Sequence, residues 1–417
     1  MPLGAVSTEQ PPAAAFAAAM ACMGPFAAAP RLAAGVSGGA DSLALALLAR
    51  NWARAHGGSL LALVVDHGLR SESGAEAALT VSRLAALGID ARLLKICDLR
   101  LGSAMAERAR AARYEILARA CAEAGIVDLL VGHHAEDQAE TAMIRVLSRS
   151  GDRGLAAMPA VAEGVRVRLL RPLLRVSPDI LRSMLRGLGV AWVDDPSNRD
   201  RRALRPRLRL LSAPFDTRAV AEATRVAGRA RAMGEAGDAE ALARLVTIRP
   251  EGFAIVRPGA LPAEALAALI RALSGQPYGP SGERVEGVAR ERSAVTVGGV
   301  RFLPAGRLGP GWLAVREASR MHGAIPAVSG AVWDGRFRLV RAAGEGLSLG
   351  ALGRDARELR AHSDLPHAVL ATLPAIRRGK VLVSVPLLGY PDEDACAHFR
   401  LVFSPSRPVA GAPFLSF

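Results

Sequence analysis

The sequence of 417 residues predicts an α/β fold: a parallel sheet with helices on both faces, followed by a helical linker and a small α+β region. The first observation is a regular alternation of short apolar runs with longer helical patterns between Arg31 and Leu147, which is typical of βαβ units. The second is that polar side chains follow these apolar runs at Ser37, Asp66 and His133. Ligands bind at the carboxyl ends of the strands in such sheets, so the functional site is expected there.

The length and periodicity of each run predict the individual elements. Strands are expected at Leu32–Val36, Leu60–Val65, Ala91–Ile96, Val127–Val131 and Val165–Leu170. Helices are expected at Asp41–His56, Ser73–Leu87, Ser103–Glu123, Ala135–Leu147, Pro178–Leu188 and Thr217–Leu245. Beyond Pro250, short strands alternate with Gly/Pro turns and carry no motif.

Four regions follow from this order: an N-terminal helix and leader (1–30), the α/β domain (31–212), a helical linker (213–250) and a C-terminal domain (251–417). The Ala-rich stretch Pro12–Pro30 has no Lys or Arg before it, which argues against a signal peptide. We expect a short helix there whose Phe16, Met20 and Met23 pack beside the first strand. No run of about twenty apolar residues occurs elsewhere, so no membrane-spanning helix is expected.

Composition limits the function classes only weakly. The net charge of +14 suits an anionic partner, but only two of the 53 basic residues are lysines, which is also what a GC-rich genome produces. The four cysteines form no CxxC pair, which argues against a structural zinc site, an iron–sulfur cluster and a disulfide framework. The cysteines are Cys22, Cys97, Cys121 and Cys396. Because they do not form a disulfide pattern, the sequence predicts a protein of the reducing cytoplasm.

The strongest local feature is a loop between the first strand and the first helix of the α/β domain. It consists of Ser37, Gly38, Gly39, Ala40, Asp41 and Ser42. Glycines without Cβ let backbone amides approach a pyrophosphate, and the following helix adds N–H groups and a positive dipole. The hydroxyls add donors, and Asp41 suits a magnesium ion that bridges phosphates. No lysine follows, so this is not a Walker loop; the alternative is a Gly-Gly turn ended by a helix cap.

This loop resembles the SGGxDS loop of the PP-loop ATP pyrophosphatases, which bind ATP and release pyrophosphate after they adenylate a substrate. The resemblance implies the adenine-nucleotide-hydrolase-like arrangement of the parallel sheet. That class includes GMP and NAD synthetases, tRNA thiolases and lysidine synthetases.

The segment Val65–Arg70 ends the second strand and resembles the part of lysidine synthetases that faces the adenine of ATP. The resemblance assigns Asp66 and His67 to this role, although the two residues could equally open a turn. A later helix carries Arg110 and Arg113 three residues apart, hence on one face, where two guanidiniums can hold phosphates. That segment is similar to the family's ARxxRY motif, and its alternative is a solvated arginine face.

The segment Gly132–Thr141 is the most specific one. His133, Asp137 and Glu140 fall at i, i+4 and i+7, which places them on one face of a helix that starts at a strand end. Two carboxylates and an imidazole suit a lysine ammonium or Mg²⁺, and the alternative is an ordinary amphipathic helix. The segment is similar to the HHxxDQxET signature of lysidine synthetases.

Weaker similarities follow along the chain. Three segments resemble the family's substrate loop, its RPLL segment and its DPSN…RxRxR segment. Ser150 and Ala157 stand where the substrate loop usually has glycines, and Pro206 stands where the last segment commonly has Asn. The segments are Arg149–Met158, Arg171–Leu174 and Asp195–Arg209. In the last, arginines at alternate positions suit backbone phosphates, and a solvated basic loop is the alternative. The resemblance covers about residues 31–210.

The chain is therefore identified, by resemblance, as a tRNA(Ile)-lysidine synthetase family member. The resemblance implies that ATP is bound by Ser37, Gly38, Gly39, Ala40, Asp41, Ser42, Asp66 and His67. It implies catalytic roles for Asp41, Asp137, Arg113 and His133, with Mg²⁺ held at Asp41 through phosphates. It implies lysine binding by Asp137 and Glu140 and tRNA binding by Arg110, Arg205, Arg207 and Arg209.

The implied reaction adenylates O2 of the wobble cytidine in a CAU-anticodon tRNA(Ile); the ε-amine of free lysine then attacks C2 and expels AMP. His133 is our hypothesis for the general base. We expect residues 251–417 to contact the tRNA acceptor stem, and the frequent dimers of the family leave a homodimer open. Three rivals remain: a tRNA thiolase, disfavoured by the lack of CxxC, an amidating synthetase for a small metabolite, and a non-catalytic ATP-regulated RNA-binding protein.

Overall fold

The computed structural model describes residues 11–68, 72–96, 105–148, 150–193, 217–280, 284–285, 294–342, 344–411 and 414–415. The chain forms two compact units, one of residues 1–233 with 413–417 and one of residues 234–412. No helix in these ranges is long and apolar enough to cross a lipid bilayer.

The first unit is built around a six-stranded sheet. Its strands are β1 (Arg31–Val36), β2 (Ser59–Asp66), β3 (Asp90–Lys95), β4 (Asp128–Leu130), β5 (Val161–Glu163) and β6 (Arg168–Leu170). Their order in the sheet is β3-β2-β1-β4-β6-β5, and every pair is parallel except β5 with β6. The predicted parallel α/β sheet is confirmed, while the antiparallel strand β5 was not predicted.

The order of the strands determines where a ligand can sit. From β1 the chain builds outward to β2 and β3 on one side and to β4 and β6 on the other. The connections therefore leave β1 and β4 in opposite directions, which opens a crevice at their carboxyl ends. Ser37 follows β1 directly and Gly132 follows β4, so the two predicted site segments meet at this crevice.

Helices cover both faces of this sheet. They are α1 (Pro12–Met23), α2 (Ala40–Ala55), α3 (Ser73–Ala86), α4 (Met105–Glu123), α5 (Ala135–Leu147), α6 (Asp152–Leu155) and α7 (Pro178–Gly187). Side chains of β1 alternate between two cores: Leu32 and Ala34 pack in the cluster of α1, α2 and α7, whereas Ala33 packs in the cluster of α4. The predicted helices on both faces are confirmed.

The N-terminal helix α1 behaves as its sequence predicts. Phe16, Met20 and Met23 are all buried, and they belong to the same core cluster as Leu32 of β1. Arg168 of β6 donates to the backbone oxygens of Met23 and Pro25 after the helix ends. The helix is therefore part of the folded first unit.

The second unit is rich in short antiparallel strands. These are β7 (Val246–Ile248), β8 (Ala254–Val256), β9 (Val295–Val297), β10 (Val300–Pro304), β11 (Trp312–Arg316), β12 (Ile325–Pro326), β13 (Val332–Trp333), β14 (Phe337–Arg341), β15 (Leu347–Ala351), β16 (Pro374–Arg378), β17 (Val381–Ser384) and β18 (Arg400–Phe403). They form three sheets, ordered β7-β8-β11-β10-β9, β12-β15-β16-β17 and β13-β14-β18. This agrees with the small α+β region that the sequence predicts.

Helices complete this part of the chain. They are α8 (Thr217–Leu245), α9 (Ala263–Ser274), α10 (His367–Leu370) and α11 (Glu393–Ala397), with a 3-10 segment at Gly353–His362. The long helix α8 runs across the division between the two units.

Candidate active site

The predicted phosphate loop connects β1 to α2, and the backbone requires a glycine at one position of it, Gly38. Gly38 has φ +86°, a left-handed conformation that strains any residue with a Cβ. A Cβ on Gly38 would also lie 2.4 Å from Oγ1 of Thr80 on α3. Gly39 is extended and stands immediately before α2, so the first free N–H groups of that helix face the loop. These features favour bound phosphate.

The two serines of the loop hold its shape. Oγ of Ser42 accepts the backbone N–H of Ser37 at 3.2 Å and donates to the oxygen of Gly39 at 2.9 Å. The hydroxyls of Ser37 and Ser42 are themselves 3.2 Å apart. From the far side, the backbone N–H of Val193 donates to the oxygen of Gly38 at 3.0 Å. The loop is therefore preorganised by its own side chains.

His134 lies between two carboxylates that come from different segments. Its Nε2 is 3.5 Å from Oδ2 of Asp41 on α2 and 3.5 Å from Oδ2 of Asp137 on α5. The backbone N–H of His134 also donates to Oδ2 of Asp137 at 3.1 Å. The His134 side chain is only 8% exposed, so this contact links the phosphate loop to α5 in a largely dry environment.

Two polar atoms at this point are left unsatisfied. Oδ1 of Asp41 and Nδ1 of His134 are buried and have no hydrogen-bond partner among the described residues. Burial raises the pKa of Asp41 above its usual value, and the Asp137 carboxylate raises it further, while His134 and Arg182 oppose both effects. The site therefore places negative charge where solvent does not stabilise it, and a bound cation would relieve that cost.

The residues present fit a hard cation. Asp41 offers a buried carboxylate oxygen without a partner, beside a loop suited to phosphates. The described residues contain no group of three or more His, Cys, Asp or Glu side chains that could hold a metal ion by themselves. Magnesium is usually held by one or two carboxylates together with substrate phosphates, and this donor set suits it.

The predicted helical face of His133, Asp137 and Glu140 is wrong in one respect. Helix α5 begins at Ala135, with His134 as the residue that caps it, so His133 precedes the helix. Only Asp137 and Glu140 share a helical face, three residues apart, and Glu140 is 9% exposed. The imidazole between Asp41 and Asp137 belongs to His134, to which the sequence pattern assigned no role. An acidic residue three positions after a helix cap is the signal that would have found it.

Asp66 forms the turn that follows β2. Its Oδ1 accepts the hydroxyl of Ser73 at 2.7 Å and the backbone N–H of Gly68 at 2.9 Å. These two hydrogen bonds hold the pKa of Asp66 below its usual value. His67 follows at the same carboxyl edge of the sheet as the phosphate loop. The hydrogen bonds of Asp66 agree with the alternative interpretation of the sequence, in which Asp66 and His67 open a turn.

Two of the predicted arginines share an aromatic neighbour on α4. The guanidinium carbons of Arg110 and Arg113 lie 5.2 and 5.4 Å from the centroid of the Tyr114 ring. Arg110 is exposed and Arg113 is half-buried. Three further predicted sites lie outside the described residues: Arg205, Arg207 and Arg209.

Gln138 and Arg171 also take part in the site, and the sequence motifs assigned neither of them a role. The side-chain amide of Gln138 donates to the oxygen of Met158 and accepts its N–H, both at 3.0 Å. Nη1 of Arg171 donates to the oxygen of Pro159 at 2.7 Å. The segment after α6 is thus tied to α5 on one side and to the end of β6 on the other.

Comparisons with known proteins agree on the class of the first unit. The family described as PP-loop domain matches residues 14–214. A tRNA(Ile)-lysidine synthase of Bradyrhizobium sp. is 46% identical over 45% of this chain and 53% of that protein, so this match spans about half its length. The protein of the same name from Ruegeria pomeroyi is 35% identical over 86% of this chain and 89% of its own length. The protein of the same name from Mesorhizobium japonicum is 32% identical over 92% of this chain and 88% of its own length.

Proposed function

The chain belongs to the tRNA(Ile)-lysidine synthases, a family of ATP-dependent ligases, and on this premise we propose that it joins free lysine to the wobble cytidine of a CAU-anticodon tRNA(Ile). The observation that carries the proposal is the contact of His134 with both Asp41 and Asp137. It brings a phosphate-binding loop and a cation-binding helix to one crevice, as a reaction between an adenylate and an amine requires.

In the first step, O2 of the cytidine attacks the α-phosphate of ATP, the bond to the β-phosphate breaks, and pyrophosphate leaves. The backbone N–H groups at the start of α2 bind the phosphates, and Gly38 and Gly39 allow their close approach. Asp66 and His67 face the adenine end, and Arg113 steadies the adenylate. A Mg²⁺ ion held at Asp41 would neutralise the charge that grows on the pyrophosphate.

In the second step, the ε-amine of lysine attacks C2, the bond from C2 to O2 breaks, and AMP leaves. Asp137 and Glu140 hold the lysine, because their carboxylates stand on one face of α5 and Glu140 is buried. The attacking amine must first lose a proton. We assign this transfer to His133, which is half-buried between the end of β4 and the start of α5.

Activation by ATP has a chemical reason. The carbonyl oxygen of a pyrimidine is a poor leaving group, whereas AMP is a good one. A crevice that excludes water also protects the adenylate from hydrolysis. We place the reaction in the cytoplasm, where tRNA and ATP are both present.

We further propose that residues 251–417 help to select the tRNA, by contact with its acceptor stem. The net charge of +14 supports a polyanionic partner. Every residue named in the chemistry above lies in the first unit, which leaves the second unit available for tRNA selection. An internal deletion of residues 251–412, which keeps residues 413–417 of the first unit, is expected to lose discrimination among tRNAs; unchanged discrimination would contradict this assignment.

The test is transfer of radiolabelled lysine to CAU-anticodon tRNA(Ile) with ATP and Mg²⁺, with CAU-anticodon methionine tRNA as the control. We expect label on the isoleucine tRNA alone. Asp41→Ala is expected to abolish transfer with tRNA binding intact. Pyrophosphate release without label on either tRNA would retain the adenylating fold but require another nucleophile, and a sulfur-incorporation assay would then test a thiolase.

A further inference from the structure

Three arginines are almost fully buried among the residues the structure describes: Arg171 in the first unit, and Arg316 and Arg336 in the second. A buried guanidinium is costly unless an anion pairs with it. Arg316 and Arg336 both pair with the carboxylate of Asp334, at 3.1 and 2.8 Å. Arg171 is 8% exposed, and no carboxylate of the described chain pairs with it. Its counter-charge is therefore missing from the residues that the structure describes.

Hydrogen bonds to the backbone fix the position of Arg171 and leave most N–H donors of its guanidinium available. Arg171 follows β6 directly, at the carboxyl edge of the sheet, and its backbone N–H donates to the oxygen of Ala160 at 2.9 Å. The guanidinium makes a single hydrogen bond to the described residues, from Nη1 to the oxygen of Pro159. Its Nε is buried with no acceptor. A guanidinium fixed in this way has donors available for a ligand.

The surroundings of Arg171 are basic. Burial lowers the pKa of Arg171, Arg110 lowers it further by like-charge repulsion, and Tyr114 opposes both effects. Arginine nevertheless stays protonated at neutral pH. Arg110 and Arg113 lie against the ring of Tyr114. Neither makes an ion pair within the described part of the chain, so three guanidiniums, two on α4 and one just after β6, lack a carboxylate partner among the described residues.

The position of Arg171 separates it from the phosphate loop. The phosphate loop follows β1, and β6 lies two strands away across β4. At about 4.8 Å between neighbouring strands, this is a separation of roughly 10 Å. Because the proposed function assigns the β- and γ-phosphates of ATP to the start of helix α2, Arg171 is available to a second anion at the same edge of the sheet.

We infer that Arg171 and Arg110 bind a backbone phosphate of the RNA substrate, close to the nucleotide that is modified. This inference rests on the proposed function, which supplies an RNA at this edge. A guanidinium matches a phosphate bidentately, and the exposed Arg110 can recruit the RNA while the buried Arg171 fixes its position. The Tyr114 ring beside them offers a flat face on which an unstacked base can lie.

The experiment measures the dissociation constant of CAU-anticodon tRNA(Ile) as a function of salt for Arg171→Lys, Arg110→Gln and the wild type. The control is Arg108→Gln, which removes the same charge from an exposed position on another side of α4. We expect Arg171→Lys and Arg110→Gln to weaken binding roughly tenfold, as loss of a charge-assisted hydrogen bond does. For Arg110→Gln, the slope of log Kd against log salt should fall by about 0.7 for a lost phosphate contact in a single strand, whereas Arg171→Lys keeps its charge and should keep the wild-type slope.

Binding by Arg171→Lys and Arg110→Gln equal to that of the Arg108→Gln variant, or a wild-type slope for Arg110→Gln, would overturn the inference. A raised KM for ATP in pyrophosphate exchange, or for lysine alone, with unchanged tRNA binding would also overturn it and assign the anion to that substrate. If Arg171→Lys fails to fold, the exposed Arg110→Gln still decides. Lysine transfer by the wild type is measured separately. Normal lysine transfer by the wild type, together with unchanged tRNA binding by the variants, would reject this phosphate site and leave the proposed function intact.

Discussion

At the scale of single residues, the phosphate loop shows how a local backbone requirement encodes a site. Gly38 is needed twice, for its positive φ and for the space occupied by the Thr80 hydroxyl. Gly57 offers a natural comparison, because it has φ +68° but no atom within 4 Å of the position that a Cβ would take. A comparison of Gly38 with Gly57 therefore distinguishes the effect of backbone strain from that of steric conflict.

Gly38→Ala is therefore expected to weaken ATP binding by at least tenfold, since the added methyl displaces Thr80 or the loop that holds the phosphates. Gly57→Ala should cost only about 1 kcal/mol of unfolding free energy, from the left-handed backbone, and leave ATP binding unchanged. The measurements are ATP–pyrophosphate exchange and chemical denaturation. The double variant Gly38→Ala/Thr80→Ala should recover part of the loss; no recovery would mean that φ alone is responsible.

Asp41 illustrates a trade between stability and activity. Because its pKa is raised in the folded protein, the folded state binds this proton more strongly than the unfolded chain does, and stability falls as pH rises through the folded pKa. Asp41→Asn removes this cost. We expect a higher Tm than the wild type at pH 8, a difference that shrinks as pH falls toward about 4, the unfolded value.

The same Asp41→Asn variant should lose about a hundredfold or more in pyrophosphate exchange, because the carboxylate that would hold the metal is gone. Asp90→Asn, at an exposed carboxylate on β3, is the control and should change neither quantity. A lower Tm for Asp41→Asn at pH 8 would mean that the attraction of His134 outweighs burial.

At the scale of elements, helix α5 and the segment after α6 act together through Gln138. Its two hydrogen bonds to the backbone of Met158 connect the carboxylate-bearing helix to the segment that contacts Arg171 through Pro159. A glutamine amide is suited to this because it offers a donor and an acceptor in one plane. The positions of Asp137 and Arg171 thus depend on one side chain that need not touch a substrate.

Gln138→Leu keeps the approximate size of the side chain but leaves the Met158 N–H and oxygen without partners. We expect the free energy of unfolding to fall by about 2–3 kcal/mol, with faster hydrogen exchange at the Met158 amide. Gln138→Glu retains the acceptor and should lose less protection at that amide. The exposed Glu136→Gln on the same helix is the control. Unchanged exchange at Met158 in the leucine variant would show that the segment is held by other contacts.

The elements of the first unit could be predicted from the sequence to within a few residues, because apolar runs and helical periodicity are set locally. The strand β5 and the single-turn helix α6 were not predicted, because neither shows a period, whereas the equally short β4 and β6 lie within longer strands that the sequence predicts. His134 was given no role for another reason: the helix start at Ala135 was predicted, but only the three-dimensional structure places the imidazole of His134 between Asp41 and Asp137. Arg171 was missed because burial is not visible in a single arginine.

At the scale of the whole molecule, the second unit shows what a sequence without motifs leaves open. Its strands are two to five residues long and pair across loops, so their order depends on packing in three dimensions. Its centre contains a charged group: Asp334 is buried between Arg316 and Arg336, and it also accepts the N–H of His322 at 3.0 Å. Burial lowers the pKa of Arg336 to about 10, which still leaves it charged.

Asp334→Asn tests how far the second unit depends on this group. Asn keeps the shape of the side chain and tolerates the left-handed backbone at φ +52°, so the change isolates the charge. Two guanidiniums would then share a buried site without a carboxylate, and the expected loss is about 3–5 kcal/mol of unfolding free energy. The measurements are chemical denaturation and hydrogen exchange of the Trp333 indole N–H, which donates to the oxygen of Gly323 at 3.1 Å. Asp364→Asn, at an exposed position of the same unit, is the control, and a loss below about 1 kcal/mol would show that the arginines find other partners.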